Sequence, residues 1–487
     1  MKYLFLDLRA LALMRIGIAC VLMWDLVIRV SDLEAFYTDA GLAPLEMIFH
    51  SSWNKFYVSL HTISGLWIVQ LSLFVLAFFC ACLLFIGYRT RLFTILSWFL
   101  LLSLHNRNTL ILQGGDDLLR LVLFWAMFIP WGAKYSCDSL LERKHAFNPQ
   151  ILTVATCAYL LQVCYIYTGS ALIKGPEWHT HFSALYYAYS LDQIAYPFSK
   201  LIYYYPELLK KLTFLVFYFE LFVPILFFIP FRHSFFRTLG VLSIICFHAF
   251  NSLSLLIGLF PAIGIATILG LLPSPVMDRW DRLTVNLKKK IKLSFTTYAG
   301  WLQLLIRWRP SYELKNEMLK NLRSALLVFL IVFVFDWNFS NLAFVKSRLS
   351  DKLRFIGYGL RLDQSWGMFA PGVFKDDGWY ILEGRSDKKK NTIDLLQNGQ
   401  PVTYQKPKYI VQMFKNDRWR KYSENLIFSN NDFMRPYFCN YRMRLWNEKN
   451  PDKKIDELSV IFMKELTLPD YHYSRPEPNT LCNCRVD

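Results

Sequence analysis

Apolar residues in this chain come in long blocks rather than in alternation with polar ones. Six blocks are clear: Ala10–Val30, Leu66–Gly87, Ile151–Ile173, Phe214–Pro230, Phe235–Leu253 and Leu322–Phe335. Three are shorter or interrupted: Leu92–Leu104, Leu118–Trp131 and Leu255–Leu272. A helix needs roughly 20 apolar residues to cross the hydrocarbon core of a bilayer. The blocks therefore predict nine membrane helices. Beyond residue 337 the pattern changes to a polar chain of about 150 residues, long enough for a small core of its own. There "GWYILEG" (Gly378–Gly384) and "KYIVQMFK" (Lys408–Lys415) read as strands, and "DRWRKYSENLIF" (Asp417–Phe428) reads as a helix. "DKKKNT" (Asp387–Thr392) reads as the turn region of a hairpin. The predicted fold is an all-α polytopic membrane domain followed by a C-terminal extracytoplasmic α+β domain. Its parts are 1–272 (membrane domain), 273–321 (basic cytoplasmic segment), 322–337 (final membrane helix) and 338–487 (outer domain).

Loop charge assigns sides, because Lys and Arg collect on the cytoplasmic face. Lys2 and Arg9 lie before the first block, Arg89 and Arg91 after the second, and Lys134, Arg143 and Lys144 after the fourth. Arg232 and Arg237 follow the sixth, and "LKKKIK" (Leu287–Lys292) with "RWRP" (Arg307–Pro310) follow the eighth. The first loop is acidic, with Asp32, Glu34, Asp39 and Glu46 against Lys55, and the third holds Asp116 and Asp117. The expected N-terminus is cytoplasmic and the C-terminal domain is outside. Much of the net charge of +17 follows from these loops, so nucleic acid is not an expected partner. Leu293–Arg309 is expected to lie on the cytoplasmic face as an amphipathic helix. No cleavable signal peptide is expected, since the first block holds Arg15, Asp25 and Arg29.

With 54% hydrophobic residues, the chain is too apolar for an ordinary soluble protein. Most of its ten cysteines fall in the blocks, where cysteine acts as a small hydrophobe. Cys439, Cys482 and Cys484 fall in the outer domain, where an oxidising setting would allow pairing. A lone Cys-x-Cys is a weak metal set, and no metal is predicted.

Ionisable residues at membrane depth are costly, and so are candidates for function. Asp25 and Arg29, four apart, share a helix face, and Arg15 is expected to find a partner on another helix. Applied to this topology, the outer face collects residues from distant segments. These are His105, Asn106, Asn108, Asp116 and Asp117 from the third loop, Lys174 from the end of the fifth block, and His248 and Asn251 from the end of the seventh. Each has a plain reading as well. Lys174 is either a catalytic base or an interfacial lysine reaching for water. His248 is either a ligand or a packed histidine, and Asp116 and Asp117 are either reactive groups or the N-terminal cap of the next helix. His179 and His181 read as loop residues.

Four stretches carry a resemblance: "WDLVIR" with "FYTDAG" (Trp24–Gly41), "HNRNTLILQGGDDLLR" (His105–Arg120), "ALIKGPEW" (Ala171–Trp178) and "FHAFNSLSLLIGLFP" (Phe247–Pro261). Over residues 8–275 the chain resembles the vitamin K-dependent gamma-carboxylase superfamily, in particular its bacterial branch of HTTM-domain proteins. In that family a lysine near the membrane face deprotonates a reduced naphthoquinone. Oxygen turns the quinol into a strongly basic alkoxide, which removes a glutamate proton before carbon dioxide adds. The resemblance thus implies a gamma-carboxylase-like enzyme in a bacterial inner membrane, with a reduced naphthoquinone of the vitamin K or menaquinone type. Lys174 would be the base, and His248 and Asn251 its catalytic helpers. His105, Asn106, Asn108, Asp116, Asp117, Glu177 and Trp178 would line the substrate site. Expected partners are membrane lipid, quinone and an extracytoplasmic peptide, and the scheme needs no metal. The animal enzyme carries paired lysines where this chain has Lys174 alone. The rival expectation is a non-catalytic membrane scaffold, or a quinone- or lipid-binding component of a secretion or maturation system.

Overall fold

The computed structural model of the chain describes residues 2–141, 149–286, 316–340, 342, 345, 350–386 and 389–485. The amphipathic helix expected at Leu293–Arg309 lies outside the described residues. Five helices are long and apolar enough to cross a membrane: α1 (Leu8–Val30), α2 (Trp67–Ile86), α5 (Val154–Ile173), α7 (His233–Ser254) and α10 (Glu317–Phe339). All five coincide with predicted blocks. Their outward faces are apolar, with Val75 and Phe79 of α2, Phe235 and Leu242 of α7, and Leu322 and Val332 of α10 exposed. The protein therefore carries the helical surface of a membrane-spanning bundle.

The other four predicted blocks also become helices, but of a different kind. Helix α3 (Thr90–Arg107) is long but carries Arg91 and Arg107. Helix α4 (Gly114–Ala126) has 13 residues, so it spans only about 20 Å. All its residues except Gly114 and Asp117 are buried, so protein rather than lipid surrounds it. Helix α6 (Pro206–Phe222) starts with charged residues and runs into a 3-10 turn, Val223–Phe227. Helix α8 (Phe260–Ile268) ends in a second 3-10 turn, and beyond it α9 (Ser274–Leu283) leaves at an angle of 102°. Pro273 and Pro275 stand at that bend, where proline removes backbone donors.

Close approach fixes the centre of the bundle. Gly17 of α1 meets Ala266 of α8, where an added Cβ would lie 3.0 Å from the alanine Cβ. At the end where α1 begins, Arg9 pairs with Asp278 at 2.8 Å and Asp281 at 2.9 Å. Arg237 donates to the carbonyls of Phe5 and Tyr3 at 2.7 and 3.2 Å, and Arg15 donates to the Tyr135 carbonyl at 2.5 Å. Arg15 thus has a partner on a loop backbone. Leu6 and Asp7 also pair with Ile151 and Gln150 as a two-residue ribbon. The basic loops therefore meet at one end of the bundle.

The C-terminal domain packs on the opposite end. Its antiparallel sheet has the order β3-β2-β1-β4-β5, built from β1 (Asp376–Ser386), β2 (Lys389–Asp394), β3 (Gln400–Pro401), β4 (Glu457–Leu466) and β5 (Glu477–Arg485). Helices α11 (Asp417–Ile427) and α12 (Met434–Lys449) complete the domain. Tyr380, Leu382 and Phe462 of the sheet join Tyr422 and Leu426 of α11 and Phe438 of α12 in one apolar core. That core is continuous with the core of the bundle.

The expected α+β content, the strand at Gly378–Gly384, the β1–β2 hairpin and the helix at Asp417 are all present. The strand expected at Lys408–Lys415 is not. Ile410–Met413 forms a 3-10 turn, and Ile410 covers the second face of the sheet beside Trp379, Ile381 and Ile461. Adjacent Ile410 and Val411 are both buried, which a turn allows and the alternation of a half-exposed strand does not.

Of the three cysteines in this domain, Cys439 of α12 and Cys484 of β5 form a disulfide, and Cys482 is a free thiol. The bond closes a loop of 45 residues, so breaking it should cost the domain about 3–4 kcal/mol. Denaturant unfolding with and without reductant should show that difference, and peptide mapping should find the Cys439–Cys484 link with Cys482 open to alkylation.

Candidate functional site

Two polar centres lie at the end of the bundle that faces the C-terminal domain. The first grows from the i,i+4 pair on α1, where Arg29 Nε donates to Asp25 Oδ2 at 2.6 Å. Arg29 also reaches Tyr37 Oη at 2.8 Å and Asp116 Oδ1 at 2.5 Å. Two carboxylates and one guanidinium would leave a buried negative charge, which is expensive in an apolar interior. Arg418 of α11 supplies the missing cation. It donates to Asp25 Oδ1 at 2.9 Å and Asp116 Oδ1 at 2.7 Å, with a further short contact to Asp116 Oδ2. All four groups are buried, Arg418 to 6% exposure and the rest further.

Local sequence explains how Arg418 is aimed. Asn416 caps α11, its side chain accepting from the Arg418 and Trp419 N–H groups at 3.0 and 3.2 Å. Its amide also donates to Asp32 at 2.7 Å, as Lys415 and Trp419 do at 2.7 and 3.0 Å. The first turn of α11 is therefore pinned to the end of α1. Asp116 does two jobs, since its Oδ2 also accepts from the Gln113 N–H at 2.9 Å and caps α4. The capping reading of Asp116 holds. Asp117 pairs with Arg120 at 2.9 Å instead.

His105 borders this centre, with Nε2 at 3.4 Å from Asp116 Oδ1 and Nδ1 buried without a hydrogen bond. Its neighbours in sequence hold backbone. Asn106 donates to the Val58 carbonyl at 2.9 Å and accepts from Arg361, and Asn108 donates to the Phe36 carbonyl at 3.0 Å. These amides are committed to the frame, so they are not free to face a substrate.

The second centre contains the lysine. Lys174 caps the C-terminal end of α5, and its buried ammonium pairs with Glu220 of α6. The ammonium also lies 4.0 Å from the centre of the Trp178 ring, a cation–π arrangement. Seven residues earlier on the same face of α5, Tyr167 Oη lies 2.9 Å from His248 Nε2. Glu220 is within electrostatic reach of that hydroxyl. The His248 ring packs against Phe247 and Phe260, at 5.5 and 5.4 Å between centres. A Cβ on Gly264 of α8 would fall 2.2 Å from His248 Nε2, so this glycine makes room for the ring. His248 Nδ1 has no hydrogen-bond partner among the described residues.

The C-terminal domain covers this centre too. Trp178 Nε1 donates to the Phe369 carbonyl at 2.8 Å, and the Gly175 N–H donates to the Pro371 carbonyl at 2.6 Å. Glu177 accepts from the Val373 N–H at 3.0 Å and pairs with Lys375 at 3.1 Å. Glu177 and Trp178 thus hold a lid loop rather than line an open site. Asn251 is half-buried, and no hydrogen bond joins its side chain to Lys174 or His248 among the described residues. His179 and His181 are exposed, but His179 ends a short helix, Pro176–His179, and only His181 lies in a loop.

No protein-family profile, curated protein or solved structure matches the chain. What the site can do therefore rests on its own groups.

The structure brings Lys174 and His248 into one region through Glu220 and Tyr167, and it places His105 and Asp116 in the other centre. Glu220 carried a signal in the sequence, being the only charged residue of the block Phe214–Pro230. Tyr167 and Arg418 carried none. Truncating Arg418 leaves Asp25 and Asp116 buried with Arg29 alone. Arg418→Ala should therefore destabilise the docked domain by about 3–5 kcal/mol. Arg418→Lys should recover only part of this, because an ammonium lacks the planar fork that spans both carboxylates. Thermal unfolding in lipid nanodiscs measures both.

Proposed function

We propose that the protein is a polytopic membrane enzyme of the gamma-carboxylase-like class, with Lys174 as its general base. The carrying observation is the buried Lys174–Glu220 pair over Trp178, beside Tyr167 and His248 and beneath the C-terminal domain. A lysine serves as a base only as the neutral amine. Movement of its proton to Glu220, within an existing hydrogen bond, gives that form without carrying charge through the apolar interior. Tyr167 and His248 extend the polar line from Glu220, and His248 Nδ1 is left to bind an oxygen of the substrate. Phe247 and Phe260 supply flat apolar walls beside His248. A reduced naphthoquinone fits this set, being a flat apolar ring with an acidic hydroxyl that reaches the site through lipid. Its chemistry when bound is oxygen-dependent generation of a strong base, directed at an extracytoplasmic peptide or small substrate.

The topology in this reading has nine spans, a cytoplasmic N-terminus and the C-terminal domain outside, in a bacterial inner membrane. Its support is the gathering of basic loops at one end of the bundle and of the sheet domain at the other. The four-charge centre around Arg418 favours a second reading, a scaffold whose buried charges serve only to hold the two domains together.

Purified protein in nanodiscs, given reduced menaquinone-type quinol and oxygen, should form the epoxide, detected by mass spectrometry. Lys174→Ala and Glu220→Gln should lower the rate by roughly a hundredfold or more. No epoxide from folded wild type with several quinols would leave the scaffold reading. For the topology, a cysteine placed at exposed Lys449 should react with a membrane-impermeant thiol reagent from the periplasmic side only.

A further inference from the structure

A third group of charges lies on the seam between the two domains, away from both centres. Asp192 follows the short helix Ala184–Ser190 of the bundle, while Asp377 and Glu465 sit directly opposite each other on β1 and β4. Asp377 is 1% exposed and Glu465 3%. Like charges facing each other across an antiparallel pair repel, and burial worsens the cost. Asp377 Oδ2 accepts from the Asp192 N–H at 2.5 Å, but among the described residues the buried Oδ1 has no hydrogen-bond partner. Two ammonium groups approach the cluster. Lys406 bridges Asp192 at 2.8 Å and Glu465, and Lys200 meets only Asp192, at 2.5 Å. Neither pairs with Asp377, so among the described residues one buried oxygen of this cluster member is left without a hydrogen bond.

We propose that Asp192, Asp377 and Glu465 bind one hard divalent cation, of the calcium or manganese type, and that Lys406 leaves when it does.

One ligand oxygen from each residue lies within 4.8 Å of the other two. A point between three such atoms is no more than about 2.8 Å from each, a few tenths beyond the roughly 2.3–2.6 Å that calcium takes. An all-carboxylate set selects hard cations over zinc or copper. Lys406 already places positive charge there, and its side chain is one-third exposed, so it can swing into water over Tyr473. A divalent ion would take the place of the lysine. Because Asp192 belongs to the bundle and the other two ligands to the sheet, the ion would clasp the domains. The sequence offered no such set, since its three members come from unrelated segments.

The test uses full-length protein in nanodiscs, with manganese(II) as the probe and binding read by electron paramagnetic resonance. One manganese should bind per chain and be displaced by calcium. Asp377→Asn should abolish binding. Lys406→Met should tighten it roughly tenfold or more, because a competing charge is removed. An ion pair that serves structure alone predicts that Lys406→Met only destabilises the protein, and thermal melts run in parallel show whether each variant is folded. Failure of both wild type and folded Lys406→Met to bind manganese would overturn the proposal. So would binding that survives Asp377→Asn.

Discussion

Two carboxylates buried in an apolar bundle need two cations, and the membrane domain supplies one. Asp25 and Asp116 are shared between Arg29, four residues from Asp25 on the same helix, and Arg418, 302 positions beyond Asp116. Removing a single partner from such a set is costly because the charges left behind have no water to turn to. The C-terminal domain is therefore part of the electrostatic balance of the bundle, not an appendage. The details around Arg418 fit this demand. Asn416 caps α11 through its carbonyl oxygen and anchors to Asp32 through its amide, so the helix start cannot rotate without breaking both.

Docking of that domain also decides the surroundings of Lys174. The loop through Phe369 and Pro371 is tied by backbone carbonyls to Trp178 and Gly175, and Trp178 is the ring beneath the lysine. Water excluded by the lid would otherwise weaken the Lys174–Glu220 attraction, since charge interactions strengthen as the effective dielectric falls. The two carboxylates near Lys174 consequently have different tasks. Glu177, three residues on in sequence, faces the lid, whereas Glu220, from another helix, faces the ammonium.

The helices were legible because membrane segments announce themselves by length and composition, and α11 by its amphipathic repeat. The hairpin was legible from the apolar stretches "GWYILEG" and "TIDLL" on either side of a polar, lysine-rich turn. What the sequence hid has a common cause: it depends on which distant surfaces meet. Nothing local in "NDRWRKY" says that Arg418 enters a membrane bundle, since a basic residue on an amphipathic helix usually faces water. Asn106 and Asn108 looked like substrate ligands by their position near the membrane face, yet irregular backbone there needs donors, and these amides provide them. Glu220 was the avoidable miss. The same cost of burying charge that singled out Lys174 applied to it, and a buried lysine predicts a carboxylate somewhere within reach. At "KYIVQMFK" the apolar count was right but the period was not, because side chains that cover a sheet face from a turn need no alternation.

The two polar centres are not independent, because one short helix lies against both. Gly115, next to Asp116, packs on the backbone of Phe260 at the start of α8, where an added Cβ would lie 3.1 Å from the Phe260 Cα. The ring of the same Phe260, and Gly264 one turn on, form the bed of His248. Close backbone contact at one side and ring contact at the other leave α8 little room to slide, as dense packing transmits displacement rather than absorbing it. Any shift of Asp116 that followed a loosened Arg418 would move Gly115 against Phe260, and so press on the histidine that bonds Tyr167. Helix α8 in this way links the charge balance at the domain seam to the geometry around Lys174.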